Sequence, residues 1–133
     1  MTRTKQTILV ADDDEDFVAM TKILLEAQGY EVLAAGGQKE AEKLLAGRSV
    51  SLAIVDLMME HEDGGFALCY HIKKKDPAIP VILVTGVTSE TGLEFDAATD
   101  EERKWVKADV MLAKPVRAEQ MRREITRLLA GKD

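Results

Sequence analysis

The sequence predicts an α/β fold: a single doubly wound sheet of five parallel strands, with about five helices on its two faces. Two observations predict it. Five short apolar runs alternate with longer amphipathic runs along the 133 residues. Four of the five short runs are almost continuous in apolar residues, which is typical of parallel strands covered on both faces. When strands and helices alternate in this way, the helix between two strands is the crossover that connects them in a parallel sheet.

The predicted strands are short, and the second one has the weakest pattern. It follows Tyr30 and is expected to lie nearer an edge of the sheet, because it is less apolar than the others. In chain order the strands are predicted at 8–11, 31–34, 52–55, 81–84 and 110–113.

Apolar residues at helical spacing predict four helices. The first stripe is Phe17, Met20, Leu24 and Ala27, with Gly29 as the stop, since glycine readily takes the left-handed conformation that ends a helix. The other stripes are Ala41, Leu44 and Leu45, ending at Gly47; Leu68, Cys69 and Ile72, closed by Asp76 and Pro77; and Met121, Ile125, Leu128 and Leu129, ending at Gly131. The stretch 88–107 is expected to be a loop that leads into a charged, exposed helix. Met20, Met111, Met121 and Cys69 are expected to pack in the core, and His61 and His71 to be exposed.

Composition restricts the classes of function. A net charge of −6 argues against a nucleic-acid-binding surface, because phosphate contacts need clustered lysine and arginine. No apolar run approaches the ~20 residues that cross a bilayer. A single cysteine excludes an intramolecular disulfide and suits a reducing compartment. We therefore expect a soluble cytoplasmic protein with a flexible lead at 1–6, one domain at 7–130 and a short tail at 131–133.

Polar groups of three kinds follow the predicted strands at the points where the strands end. They are the carboxylates of Asp12, Asp13, Asp14 and Asp56, the hydroxyl of Thr85 and the ammonium of Lys114. The carboxyl ends of parallel strands share one edge of a sheet, so we expect these groups to lie close together.

Such a cluster cannot stay fully ionised without a cation or bound protons. Carboxylates about 5 Å apart repel each other by roughly 3 kcal/mol per pair at an effective dielectric constant near 20. An oxygen-rich site of this kind favours a hard divalent ion such as Mg²⁺. With Mg²⁺ and an ammonium in place, the pocket could hold a phosphoryl group, and one carboxylate could act as the nucleophile.

Four stretches of the chain together resemble the receiver domain of two-component response regulators. They are Ile-Leu-Val-Ala-Asp12-Asp13-Asp14-Glu-Asp, Ala-Ile-Val-Asp56-Leu-Met-Met, Asp76-Pro-Ala-Ile-Pro-Val-Ile-Leu-Val-Thr85 and Leu-Ala-Lys114-Pro115. The resemblance runs from about Thr7 to Leu129. It implies a flavodoxin-like sheet in the order 2-1-3-4-5.

The resemblance also implies roles for individual residues. Asp56 would accept a phosphoryl group from a phosphohistidine on a partner. Asp12 and Asp13 would hold Mg²⁺ together with Asp56 and the backbone carbonyl of Met58.

Residues of the later strands would complete the site. Thr85 would hydrogen-bond the phosphoryl group, and Lys114 would pair with it. The peptide bond before Pro115 would be cis. Asp14, by contrast, is expected to cap the first helix rather than to bind metal.

The partners implied are a sensor histidine kinase or a phosphotransfer protein, together with an unknown downstream protein. The chain stops soon after its last helix, so we expect a stand-alone receiver, a monomer or a weak homodimer, whose output is an interaction or onward phosphotransfer. We expect no direct nucleic-acid binding, and no enzymatic activity beyond its own phosphorylation and dephosphorylation.

The sequence departs from the family pattern in three places. Met111 stands where many receivers have an aromatic residue, which makes the loop after Thr85 an alternative route for output. Glu60 and Glu62 add negative charge beside the pocket. The stretch between Thr85 and Lys114 is several residues longer than usual.

Two alternatives stay open at this stage. One is a small phosphatase of the haloacid dehalogenase type, with Asp12 as nucleophile and Asp14 as acid and base. The other is a binding module that keeps the fold and is never phosphorylated.

Overall fold

Five parallel strands and four helices make up the described part of the protein. The computed structural model describes residues 6–57, 64–85, 108–114 and 116–130. In chain order the elements are β1 (Thr7–Ala11), α1 (Glu15–Ala27), β2 (Glu31–Ala35), α2 (Gln38–Gly47), β3 (Leu52–Asp56), α3 (Gly64–Lys75), β4 (Val81–Thr85), β5 (Val110–Ala113) and, numbered here as the fourth described helix, α4 (Ala118–Leu129). The helix expected within 88–107 lies outside the described residues.

The strands form one sheet in the order β2-β1-β3-β4-β5. All four neighbouring pairs are parallel, and the register sets Ala11 opposite both Ala35 and Val55. The predicted fold class and strand order are confirmed. β2 is an edge strand, as its weaker apolar pattern predicted.

Two hydrophobic clusters cover the two faces of the sheet. On one face α2 and α3 contribute Ala41, Leu45, Leu68, Cys69 and Ile72. On the other face α1 and α4 contribute Leu25, Met121, Ile125 and Leu129. Successive strand residues alternate between the two clusters, because side chains along a strand point to opposite faces. Both faces are therefore buried, which explains the nearly continuous apolar runs.

The predicted buried stripe of α1 is partly wrong. Met20 is 72% exposed and Ala27 is exposed, whereas Thr21 and Leu25 are the buried residues of this helix. Helix α1 carries apolar residues on more than one side, so helical spacing alone does not identify its buried face. The predicted stripe therefore includes residues that face solvent. Met121 and Cys69 are buried as predicted, Met111 is partly buried against the α2–α3 cluster, and His71 is exposed.

The ends of α1 follow the local chemistry of the sequence. Asp14 is the N-cap, and its Oδ1 accepts hydrogen bonds from the amides of Asp16 and Phe17 at 3.1 and 3.2 Å. This satisfies amides that have no partner within the helix. After the helix, Gly29 has a φ of 95°, which a residue with a side chain rarely adopts. The predicted helix cap at Asp14 and stop at Gly29 are both confirmed.

Candidate functional site at the carboxyl edge of the sheet

Backbone hydrogen bonds hold the candidate residues at the carboxyl edge of the sheet. The amide of Asp12, one residue past β1, donates to the carbonyl of Ala35 at 3.0 Å. The amide of Lys114, one residue past β5, donates to the carbonyl of Thr85 at 2.8 Å. Asp56 is the last residue of β3 and lies opposite Val84. After β1 the chain continues to β2 in one direction along the sheet, and after β3 it continues to β4 in the opposite direction. The group therefore lies at the point where the strand order reverses, and ligands bind at this point in such sheets.

Three carboxylates meet at this edge. Asp12, Asp13 and Asp56 each bring one carboxylate oxygen within 4.8 Å of the others. Asp12 is 1% exposed and Asp56 5% exposed, whereas Asp13 is open to solvent. The Oδ1 of Asp12 also accepts a hydrogen bond from the amide of Asp14 at 2.8 Å. Two buried charges and one exposed charge therefore share a small volume.

The ammonium of Lys114 enters the same cluster. Its Nζ lies 2.9 Å from Oδ2 of Asp12, and 3.9 Å from both Oδ1 of Asp56 and Oδ2 of Asp14. Burial by itself lowers the pKa of Lys114, but the hydrogen bond and charge of Asp12, with the charges of Asp56 and Asp14, outweigh it and raise the pKa. The lysine side chain is only 22% exposed. Lys114 is therefore firmly cationic and neutralises part of the acidic cluster.

A divalent cation fits the charge that remains. Three carboxylates against one ammonium leave a formal charge of −2. Oδ2 of Asp12 is buried and contacts the Lys114 ammonium at 2.9 Å. A set of carboxylate oxygens with one solvent-facing member suits Mg²⁺, which binds few carboxylates and keeps several waters.

Thr85 lies at the same edge, at the end of β4, and is 5% exposed. Of the other predicted features, Met58 and the peptide bond to Pro115 lie outside the described residues, as do Glu60 and Glu62. The structure thus brings together Asp12, Asp13, Asp56, Thr85 and Lys114.

Phe17 is a member of this site that the sequence did not identify. The Nζ of Lys114 lies 4.8 Å from the centroid of the Phe17 ring. From the sequence, Phe17 was placed only on the apolar stripe of α1. The position of Phe17 in the first turn after the acidic motif places it near the candidate site, but the sequence does not say which cation the ring meets.

The fold and the site together define a class: a doubly wound α/β protein that gathers carboxylates and a lysine at the switch point of its sheet. The response regulator receiver domain family matches residues 8–126. The chain belongs to this family.

Curated relatives and solved structures agree with this assignment. The chain is 36% identical over 99 residues to the probable transcriptional regulator ycf27 of Galdieria sulphuraria, covering 71% of this chain and 38% of that protein. It is 36% identical over 95 residues to the transcriptional regulatory protein ZraR of Escherichia coli O157:H7, covering 71% and 21%. The chain therefore spans less than half the length of these relatives.

Among solved structures, a CheY-like response regulator receiver domain protein from Methanospirillum hungatei JF-1 superposes with a TM-score of 0.80. It is 27% identical, and the match covers 95% of this chain and 94% of that one. A receiver domain from Clostridium thermocellum superposes with a TM-score of 0.77 at 28% identity, covering 96% of each chain. Within the described residues, no helix combines the length and apolar character required to cross a membrane.

Proposed function

We propose that this chain is a phosphoacceptor receiver of a two-component phosphorelay, in which Asp56 accepts the phosphoryl group. The observation that carries the proposal is the position of Asp56, which is buried at the end of β3 beside two further carboxylates, with the Lys114 ammonium 3.9 Å from its Oδ1. Membership of the receiver family supports it. The donor is a phosphohistidine on a sensor kinase or a phosphotransfer protein.

The transfer is a displacement at phosphorus. A carboxylate oxygen of Asp56 forms the new P–O bond, while the P–N bond to the donor imidazole breaks and its electron pair stays on the imidazole nitrogen. Asp12 and Asp13 would hold Mg²⁺ with Asp56 and the carbonyl of Met58. When bound, Mg²⁺ neutralises negative charge on the phosphoryl oxygens.

Lys114 and Thr85 complete the pocket around the transferred group. Lys114 has a flexible stem and already lies between Asp12 and Asp56, so its ammonium can pair with a phosphoryl oxygen. The Thr85 hydroxyl donates a hydrogen bond to another. The phosphoryl group adds about −1.5 to −2 charges. That charge shifts an equilibrium between two surface conformations, which a downstream protein distinguishes.

The site geometry disfavours the phosphatase alternative. That mechanism uses Asp12 as the nucleophile, but Oδ1 of Asp12 accepts the Asp14 amide at 2.8 Å and Oδ2 lies 2.9 Å from the Lys114 ammonium, which is 3.9 Å from Oδ1 of Asp56. Asp14, its proposed acid and base, uses Oδ1 to cap α1.

The wider proposals follow from the same assignment. The domain comprises residues 7–130 and acts in the cytoplasm as a monomer or weak homodimer. Its output is a protein contact or onward phosphotransfer rather than catalysis or nucleic-acid binding, and the net charge of −6 supports the last point.

Labelling with a small phosphodonor tests the function. The full chain is incubated with acetyl phosphate and Mg²⁺, and the intact mass is measured. We expect the gain of one phosphoryl group, which is lost in Asp56→Asn and in excess EDTA. The matched control is Asp76→Asn, which changes an aspartate at the end of α3, outside the acidic cluster.

The two alternatives give different results in this experiment. No mass gain at high donor concentration, with the fold intact by circular dichroism, would support the module that is never phosphorylated. Multiple turnover of a phosphomonoester that Asp12→Asn abolishes and Asp56→Asn does not would support the phosphatase.

A further inference from the structure

We propose that Phe17 is a positioning residue for Lys114: its ring holds the lysine ammonium inside the acidic pocket, ready to meet a phosphoryl group. The proposal rests on the proposed function, because it takes Lys114 as the cation that pairs with the transferred group. The contact that carries it is the 4.8 Å distance between Nζ of Lys114 and the centroid of the Phe17 ring.

The position of the ring is fixed by the cap of α1. The Phe17 amide donates to Oδ1 of Asp14 at 3.2 Å, and the side chain packs partly buried in the α1–α4 cluster. The second oxygen of Asp14, Oδ2, lies 3.9 Å from the same ammonium. The start of α1 therefore offers Lys114 an aromatic face from Phe17 and a carboxylate from Asp14, which also caps the helix.

The backbone that carries Lys114 is paired on one side alone in the described sheet. Lys114 lies one residue past β5, which has four residues and pairs only with β4 in the described sheet. A lysine stem has many rotamers, so an ammonium on an edge strand spends time away from the pocket unless something restrains it. The carboxylates attract the charge, and the ring adds attraction through its negative face.

The ring and the carboxylates act on different steps. Phe17 is not one of the proposed Mg²⁺ ligands, which are Asp12, Asp13, Asp56 and Met58. Loss of the ring should therefore slow phosphorylation at saturating Mg²⁺ while the Mg²⁺ affinity stays the same. The strength of an exposed or half-buried cation–π contact corresponds to a change of about 2- to 5-fold in the population of the restrained lysine.

The test is Phe17→Leu, which keeps an apolar side chain and removes the aromatic face. The first measurement is an NMR spectrum of the lysine side chains, with Lys114 assigned from Lys114→Arg. In the wild type, the protons next to the ammonium should be shifted upfield by the ring, and in Phe17→Leu they should return to the position of an ordinary lysine. This measurement needs no phosphodonor.

The second measurement is the rate of labelling by acetyl phosphate at saturating Mg²⁺. We expect a rate about 2- to 5-fold lower in Phe17→Leu, with an unchanged Mg²⁺ dissociation constant, and recovery in Phe17→Tyr. The matched control is Val18→Ala, which loosens the same apolar cluster and should leave both the lysine spectrum and the rate near wild type.

Three results would overturn the positioning role. They are unchanged Lys114 resonances in Phe17→Leu, an unchanged labelling rate, and an equal loss of rate in Val18→Ala, which would make Phe17 merely a packing residue. A wild type that never labels rejects the proposed function instead, and the lysine spectrum still decides whether the ring holds the ammonium.

Discussion

Cys69 shows how burial changes the chemistry of a residue. It lies on α3 in the core and is fully buried. Desolvation raises the pKa of its thiol to about 11, opposed by the charge of Lys73 and assisted by that of Asp109. The thiolate is the reactive form, so Cys69 is inert in the folded protein.

The raised pKa makes stability depend on alkaline pH. Between the ordinary thiol pKa and about 11 the folded protein keeps a proton that the unfolded chain loses, so stability falls as pH rises through this window. The slope from one such group is at most about 1.4 kcal/mol per pH unit. We expect urea unfolding between pH 8 and 10.5 to show a shallower decline in Cys69→Ala than in the wild type. Equal slopes would contradict this.

At the scale of single residues, the sequence predicted which side chains of the candidate site lie together but not all of their contacts. Asp12, Asp56, Thr85 and Lys114 were predictable because each follows a recognisable strand, and strand ends of a parallel sheet converge. The contact of Phe17 with Lys114 was not. It depends on how α1 rotates against the sheet, and apolar spacing did not determine that rotation.

At the scale of elements, β5 is a short edge strand with a lysine–aspartate contact at each end. At its carboxyl end is Lys114 with Asp12. At its start Asp109 accepts hydrogen bonds through Oδ2 from the ammonium of Lys73 at 2.7 Å and from the amide of Val81 at 2.8 Å. Lys73 also donates to the carbonyl of Ile79 at 2.7 Å. Asp109 thereby joins α3, β4 and β5.

Removing the Asp109 carboxylate should loosen the start of β5. In Asp109→Ala the buried Val81 amide and the Lys73 ammonium both lose an acceptor, which should cost about 1–3 kcal/mol of stability. Urea unfolding measures the loss, and hydrogen exchange should be faster at Val81 and along β5. Asp109→Asn keeps an acceptor oxygen for the amide and should lose less. Equal losses in the two variants would show that the charge alone matters.

The strands were predicted to within one residue at each end, because burial on both faces leaves a clear run of apolar residues. Helix ends were also predictable where a cap is local, as at Asp14. The buried face of α1 was not, since Met20 and Ile23 are apolar yet about 70% exposed. Tertiary packing determines which of several apolar faces is buried, and the pattern of a single sequence does not predict it.

At the scale of the whole molecule, we expect the acidic cluster to link stability to divalent cations. A cation that binds the folded chain and not the unfolded one adds RT ln(1 + [L]/Kd) to stability. At a Mg²⁺ concentration ten times Kd we expect about 1.4 kcal/mol, measured by urea unfolding at constant ionic strength. Asp13→Asn removes the exposed carboxylate of the cluster and should reduce this gain. An equal gain from NaCl alone would attribute the effect to screening.

The pairing of Asp12 with Lys114 joins the first strand of the sheet to the last. During synthesis the acidic residues leave the ribosome before their neutralising ammonium, which emerges only after β5. No amino-terminal fragment that lacks β5 contains the complete charge set. The pocket is thus complete only once β5 has docked on β4.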